Sequence, residues 1–468
     1  MRRTKIVVTL GPASSSPDII RRLITAGMDV ARLNFSHGSH EEHARNVANL
    51  RAISEELDTP VTILQDLQGP KIRVGKLPGG EMKLTPGDTI SIVPEADFTA
   101  QEDAIPIDYA DAANEARPGM RVLLTDGLLE LEVVEVAGRE LRCRVIEGGV
   151  LKSRQGVNFP NLALAIPPLT EKDKHDVEFG LAHNVDWISL SFVRSAADVQ
   201  TLKEFISAAG ASKPIIAKIE KPQAIEQLEE ILQEVDGVMV ARGDLGVEVS
   251  PEKVPMLQKH IIERCNRKGL PVITATQMLE SMIHDPRPTR AEASDVANAI
   301  IDGTDAVMLS GESAIGAFPV RAVEMMARIA AEVEAGTESK TYPATDPTDS
   351  HALSEAATSI ARIVDLHAIA VLTTSGYTAR LLAAERSKTA LFAITTDSGI
   401  YHSLNLLWGI KPLLVAGIPE TFEALVKQTE ATLLQRRLVK PGNRILVIGG
   451  VPAGQARGSN FIKIHAVQ

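Results

Sequence analysis

Lys218 and Glu220 lie two residues apart in IIAKIEKP, so on an extended strand both side chains face the same way. Asp244, in VARGDLG, ends the next apolar run and brings a second carboxylate. Two acidic groups on neighbouring strands suit a hard divalent ion: Mg²⁺ is usually held by one or two carboxylates, with substrate oxygens and water completing its octahedron. The bland alternative is a surface Lys–Glu pair. Gly243 lets a ligand approach the backbone closely, and amides near Asp244 can open an anion site at a turn. Arg32, Asn34 and Ser36 alternate at period two in ARLNFSHG, with His37 and Gly38 behind them. An arginine there suits bidentate contact with phosphate, and it equally suits an internal ion pair with Asp66. Thr276 in TATQMLESM, and Ser310 with Glu312 in MLSGESAIG, could relay a proton through water or stand as satisfied core polar groups. Farther along, Thr373, Thr374, Ser375, Gly376 and Thr378 in TTSGYTAR fit either a phosphate of a regulatory ligand or a plain helix N-cap.

These groups need a frame that brings them to one place. Eight strand-length apolar runs, at residues 6–8, 30–33, 61–64, 187–190, 215–217, 237–240, 271–273 and 306–309, precede nearly all of the polar clusters, and helix-length segments follow most of them. Parallel strands buried on both faces read as continuous apolar runs, and crossover helices keep their C-terminal ends on one side. The expected fold is therefore an α/β (β/α)8 TIM barrel, whose C-terminal face carries the site. Asp66 and Ser191 are 125 residues apart, far more than one βα unit, so a segment is inserted after the third strand. Residues 70–164 alternate at period two between Pro, Gly and Asp turns, which predicts a small β-barrel-like lid domain. Removing them from 1–337 leaves roughly 240 residues, near the usual barrel size. Expected boundaries are 1–69 with 165–337 for the barrel, a polar linker at 338–350, and a C-terminal α/β regulatory domain at 351–468.

Composition narrows the function. With 49 basic and 60 acidic side chains the net charge is −11, which argues against binding nucleic acid or an anionic membrane. Cys143 and Cys265 are the sole cysteines, too few for a disulfide framework, and no run is long enough to span a bilayer. A cytoplasmic location is expected.

Seven motifs, ARLNFSHG, GPKIR, AKIE, VARGDLGVEV, TATQMLESM, RPTRAEASDVANAI and MLSGES, occur in the order in which the pyruvate kinase family carries them, and the chain resembles that family from near its start to its end. The resemblance implies a barrel, lid and C-terminal domain, and transfer of the phosphoryl group of phosphoenolpyruvate to ADP, giving ATP and pyruvate as the last step of glycolysis. It implies that Glu220 and Asp244 hold Mg²⁺, with Mn²⁺ as a substitute, and that Lys218 stabilises the moving phosphoryl group and the enolate. Arg32 would bind phosphate; Asn34, His37 and Arg73 would lie near the nucleotide; the amides of Gly243 and Asp244 would take the substrate carboxylate. Thr276 would stand beside the carbon that is protonated, and Ser310 and Glu312 would order water. A homotetramer is a further implication, and the TTSGYTAR reading leaves room for allosteric control by a phosphorylated effector. A silent metabolite sensor and an Mg²⁺-dependent enolate lyase are the competing classes; both predict no ATP from phosphoenolpyruvate and ADP.

Four departures stand out against the family pattern. DLQGPKIR places Lys71 where the family's usual Glu accompanies a bound K⁺, with Leu67, Gln68 and Val74 changed around it. An ammonium reaching that pocket, close to Asn34, Ser36 and Asp66, would replace the ion, and catalysis would not require K⁺. Lys221 replaces a common Asn, Gln155 a common Lys and Ile315 a usual Lys. Loss of the basic group at Gln155 is expected to shift affinity for ADP.

Overall fold

The structure is a computed structural model of the 468-residue chain, and it describes residues 2–100, 103–160, 162, 166–338, 340, 348–451 and 458–468. Eight parallel strands, β1 (Lys5–Thr9), β2 (Val30–Asn34), β3 (Thr62–Asp66), β4 (Trp187–Leu190), β5 (Ile215–Ile219), β6 (Gly237–Ala241), β7 (Val272–Ala275) and β8 (Ala306–Leu309), close into a barrel. Several strands run on past their apolar core into the polar residues: β3 ends at Asp66 and β5 carries Lys218. Alternation therefore divides the barrel interior into two levels. Val7, Val30, Leu64, Trp187, Ile216, Met239, Ile273 and Met308 pack together inside it, and two residues farther along the same inward rows stand Arg32, Asp66, Ser189 and Lys218. The lower level is a hydrophobic floor for the upper.

Side-chain caps set where many of the crossover helices start. Ser39 and Glu42 form a reciprocal capping box on the helix His40–Glu56, as do Thr170 with Asp173 on Glu171–Ala182 and Thr289 with Glu292 on Arg290–Asp302. Each starts a helix just past the working face of the barrel.

After β3 the chain builds a separate sheet of six strands, ordered Val157–Asn158, Arg121–Leu124, Leu129–Ala137, Glu140–Glu147, Thr89–Pro94 and Ala104–Ile107, with a two-stranded ribbon beside it. Its core is its own, centred on Val122, Leu131, Leu141, Cys143 and Ile105. The expected barrel is closed only by isolated bridges, Arg73 to Gly156 and Val74 to Ile107, because a two-residue edge strand offers too short a ladder. The boundary expected at 164/165 lies outside the described residues, as do positions 339 and 341–347 of the expected linker.

A third unit has a five-stranded sheet, ordered Ile410–Leu414, Ala390–Thr395, Ala368–Leu372, Arg444–Gly449 and an antiparallel Phe461–Ala466. It packs under the barrel, on the side away from the polar rim. Leu406 joins the apolar floor, the Trp187 indole donates to Ser403 O at 3.1 Å, and buried Arg386 grips both oxygens of Asp305 at 2.9 and 3.0 Å. No helix among the described residues is long and apolar enough to cross a membrane.

Candidate active site

The upper level of the barrel is organised by one buried anion. Asp66 is 1 % exposed; its Oδ2 accepts from Arg32 Nε at 2.6 Å and lies 2.5 Å from Nη2 in an ion pair, and its Oδ1 accepts from Ser189 Oγ at 2.6 Å. Arg32 is locked from behind by Thr9, whose Oγ1 accepts from Nη1 at 3.0 Å. Both readings of Arg32 thus have a basis: it pairs with Asp66 and still carries N–H groups beyond that pair. Lys218 Nζ stands 3.5 Å from Asp66 Oδ1, 3.0 Å from Glu220 Oε1, and donates to Ser191 Oγ at 2.8 Å. Burial alone would depress the Lys218 pKa, but Asp66 and Glu220 outweigh it and hold the ammonium well above its ordinary value. For Asp66 the desolvation cost is likewise overcome, by Lys218 and Arg32, and its carboxyl lies below the usual range. The result is a fixed positive charge with little exposure, suited to stabilising charge that develops on a substrate.

Glu220 is fully buried, and its Oε2 accepts the Phe192 amide at 2.8 Å. Its Oε1 has no aligned hydrogen-bond donor although Lys218 is close. Burial raises this carboxyl, Lys218 opposing and Asp244 adding to the rise. Asp244, on the helix Arg242–Val249, is 28 % exposed at its side chain, and its ion-pair partner is Lys71, at 3.7 Å. Two carboxylates, one with an orphaned buried oxygen, fit the donor set of Mg²⁺. No group of three or more acidic, His or Cys side chains suited to a metal exists among the described residues.

The Lys71 ammonium has other ion-pair partners than the residues expected around it. Among the described residues its ammonium forms no hydrogen bond or ion pair with Asn34, Ser36 or Asp66; it points to Asp244 and, at 3.9 Å, to Asp126 in a turn of the lid. Asp66 is already saturated by Arg32, Ser189 and Lys218, so the unpaired acids on the lid side attract the long side chain instead. The imidazole of His37 is held below its ordinary pKa by burial and by the charges of Arg73, Arg32 and Lys71. Those groups make the rim beside Asn34 electropositive. Arg73 donates from Nη1 to Arg154 O at 3.3 Å, while the Asn34 side chain accepts the Ser36 amide at 3.1 Å, which fixes the turn.

Thr276 and Gly243 also come together, though not as expected. The Gly243 amide donates to Thr276 Oγ1 at 2.7 Å, and that hydroxyl donates to Ala275 O at 2.6 Å. In this state the Gly243 amide is occupied rather than free for a carboxylate. Thr276 and Gln277 have φ of +69° and +54°, in the left-handed region, a strain of order 1–3 kcal/mol each that is commonest at working sites. The Glu312 carboxylate is likewise committed, accepting the Leu279 amide at 3.0 Å and the Ser310 amide at 2.7 Å. It braces the loops after β7 and β8, and only the Ser310 hydroxyl, buried without a partner, is left for a water.

The other departures resolve simply. Gln155 Oε1 accepts from Thr125 Oγ1 and the Lys152 amide, both at 2.8 Å, so it ties lid turns together. Ile315 is 67 % exposed. In the C-terminal unit Thr373 Oγ1 accepts the Gly376 amide at 2.8 Å, Thr378 pairs with Ser459 at 2.8 Å, and Thr374 and Ser375 are exposed. The Thr373 bond closes the turn ahead of the helix Tyr377–Ala384, whose N-cap is Gly376 without a side-chain cap, and the Ser375 hydroxyl accepts the Tyr377 amide at 3.4 Å. Ser189, Glu248 and Asp126 were not singled out from sequence; Ser189 is two residues before Ser191 on the same inward row, a signal the period-two rule could have used.

Comparison with known proteins places these residues in context. The family profile "Pyruvate kinase, barrel domain" matches residues 1–323, and "Pyruvate kinase, alpha/beta domain" matches 351–465. The chain is 47 % identical over 475 residues to pyruvate kinase 2 of Synechocystis, covering all of this chain and 80 % of that protein. It is 43 % identical over 474 residues to a pyruvate kinase of Staphylococcus aureus, covering 100 % and 81 %. The crystal structure of a pyruvate kinase from Cryptosporidium parvum superposes with a TM-score of 0.93 at 36 % identity, covering 100 % of this chain and 96 % of that one.

Proposed function

The chain belongs to the pyruvate kinase family, and from that premise we infer how its own side chains divide the reaction. The enzyme converts phosphoenolpyruvate to pyruvate in glycolysis. ADP takes the phosphoryl group, and the enolpyruvate that remains is protonated at its methylene carbon. Positioning and electrostatics carry such a transfer.

Glu220 and Asp244 would hold Mg²⁺, or Mn²⁺ in its place; when bound, the ion neutralises charge on substrate oxygens. Lys218 sits where it can face the transferring phosphoryl group and then the enolate oxygen. Its clamp between Asp66, Glu220 and Ser191 is the observation that carries the reading, because it keeps the ammonium charged and immobile. Arg32, oriented by Asp66 and Thr9, presents its remaining N–H groups to the phosphate. The nucleotide phosphates would lie against Arg73, His37 and Asn34. Thr276 would release the Gly243 amide to the substrate carboxylate and turn its hydroxyl to the enolate carbon. Ser310 would order the proton-bearing water, with Glu312 holding its loop.

Lys71 supplies a built-in cation, so the reaction needs no K⁺. What supports this is its ammonium 3.7 Å from Asp244, inside the cleft, together with the Glu-to-Lys departure. The cytoplasm is the expected compartment, a homotetramer the expected assembly, and a phosphorylated effector the ligand expected near Thr374 and Ser375. The test is pyruvate formation from phosphoenolpyruvate, ADP and Mg²⁺, with and without K⁺, for the parent and Lys71→Glu. Full activity of the parent without K⁺, and K⁺-dependence of the variant, are expected. Strong K⁺ stimulation of the parent would overturn the built-in cation, and no turnover in either buffer would overturn the assignment of roles.

A further inference from the structure

Directly behind the two carboxylates read as metal ligands lies a second pair of opposite charge. Lys221 follows Glu220 in the chain, and Glu248 stands four residues after Asp244 on Arg242–Val249, one helical turn along the same face. Lys221 Nζ is 2.6 Å from Glu248 Oε1, with side chains 12 % and 1 % exposed. The same oxygen accepts from Asn158 Nδ2 of the lid at 2.8 Å. Lys221 Nζ also lies 5.8 Å from the centre of the Phe192 ring, and the Phe192 amide is the donor that holds Glu220 Oε2.

This pair links the two segments that follow the carboxylates, alongside the Phe192 amide on Glu220 and the Thr276 hydroxyl on Gly243. The last paired residues of β5 and β6 are Ile219 and Val240, so Glu220 and Asp244 both stand beyond the end of the backbone ladder. A link between the segments just after them therefore bears on their separation. A buried carboxylate such as Glu248, whose Oε2 has no hydrogen bond, is costly without its counter-charge, so the contact with Lys221 is held tightly.

We propose that Lys221 and Glu248 are positioning residues that together set the spacing of Glu220 and Asp244, and that Asn158 couples the base of the lid to that spacing. The proposal rests on reading Glu220 and Asp244 as the metal carboxylates. Residues that orient metal ligands typically contribute about 10- to 100-fold in metal affinity.

The experiment measures Mn²⁺ binding without turnover, by electron paramagnetic resonance, on the full chain and on Lys221→Met, Glu248→Gln, the double variant and Glu220→Gln. Each single change is expected to weaken Mn²⁺ about 10-fold, the double to be no worse than the weaker single, and kcat to recover at saturating Mg²⁺. Lys221→Asn, which keeps a donor without the charge, should fall between and serves if Lys221→Met does not fold. Asn158→Ala should weaken Mn²⁺ less than the Lys221 change does and raise the KM for ADP, and Mn²⁺ affinity and KM for ADP both unchanged would overturn the coupling to the lid. Unchanged Mn²⁺ affinity in Lys221→Met or Lys221→Asn, alongside a loss in Glu220→Gln, overturns the proposal alone. Unchanged affinity in Glu220→Gln overturns the ligand reading beneath it.

Discussion

Replacing Asp66 with asparagine removes one charge from the centre of the site and almost nothing of its shape. In the parent, one carboxylate neutralises two buried cations, Arg32 through a 2.6 Å hydrogen bond from Nε and a 2.5 Å ion-pair contact from Nη2 to Oδ2, and Lys218 at 3.5 Å from Oδ1. An amide can still accept from Arg32, but it turns an N–H₂ toward Lys218 or Ser189. Lys218 then keeps Glu220 as its nearby anion, while Arg32 loses the carboxylate it pairs with. Removing one partner of a buried pair costs about 3–5 kcal/mol, and retention of one acceptor puts the expectation near the lower end, about 3 kcal/mol. At about 2–4 °C per kcal/mol for a unit of this size, the barrel transition should fall by roughly 6–12 °C. Each 1.36 kcal/mol is tenfold in an equilibrium, so misplacing Arg32 by that free energy lowers kcat/KM for phosphoenolpyruvate by about 100-fold. The effect also depends on pH. The folded carboxyl is held below its unfolded value, so its contribution is present above the unfolded pKa and disappears as pH falls through the lower folded one. The stability gap between parent and Asp66→Asn should therefore narrow in acid. Calorimetric scans at several pH values and steady-state kinetics test this. A transition within 2 °C of the parent, with KM for phosphoenolpyruvate unchanged, would refute the claim that this carboxylate holds the site together.

Glu312→Ala should destabilise the barrel by about 2–4 kcal/mol, because two buried amides, those of Leu279 and Ser310, lose their acceptor together; denaturant titration reads the loss, and a change below about 0.5 kcal/mol would mean that the loops brace each other without it. Lys5, bonded to Ile410 O at 2.7 Å under the barrel, is pushed down to about 8 by burial, Asp29 opposing. Its folded pKa lies below its unfolded one, so the unfolded chain binds more protons between about pH 8 and 10.5 and the Lys5 contribution to stability rises across that window. The parent should thus gain on Lys5→Met as pH rises from 8 to 10, and parallel stability curves for the two would contradict this.

The residue types and their order were enough to specify the frame and the face on which the rim side chains stand. Continuous apolar runs ending in polar clusters identify buried parallel strands, and period-two spacing put Arg32, Lys218 and the other rim side chains on the inward rows because a strand admits no other alternation. What tertiary structure decided is where long or doubly capable groups spend their bonds. Lys71 has several rotatable bonds, so its direction depends on which acids remain unpaired, and the lid brought Asp126 to it while Arg32 and Lys218 had taken Asp66. Glu312 reads as a proton relay until folding sets two unsatisfied amides against it. The Gly243 amide is claimed by a hydroxyl from the next strand, and Glu248 meets Lys221 and Asn158 only when β5, the helix after β6 and the lid converge. Local spacing constrains the face a side chain occupies; partners distant in sequence determine what remains free for a substrate.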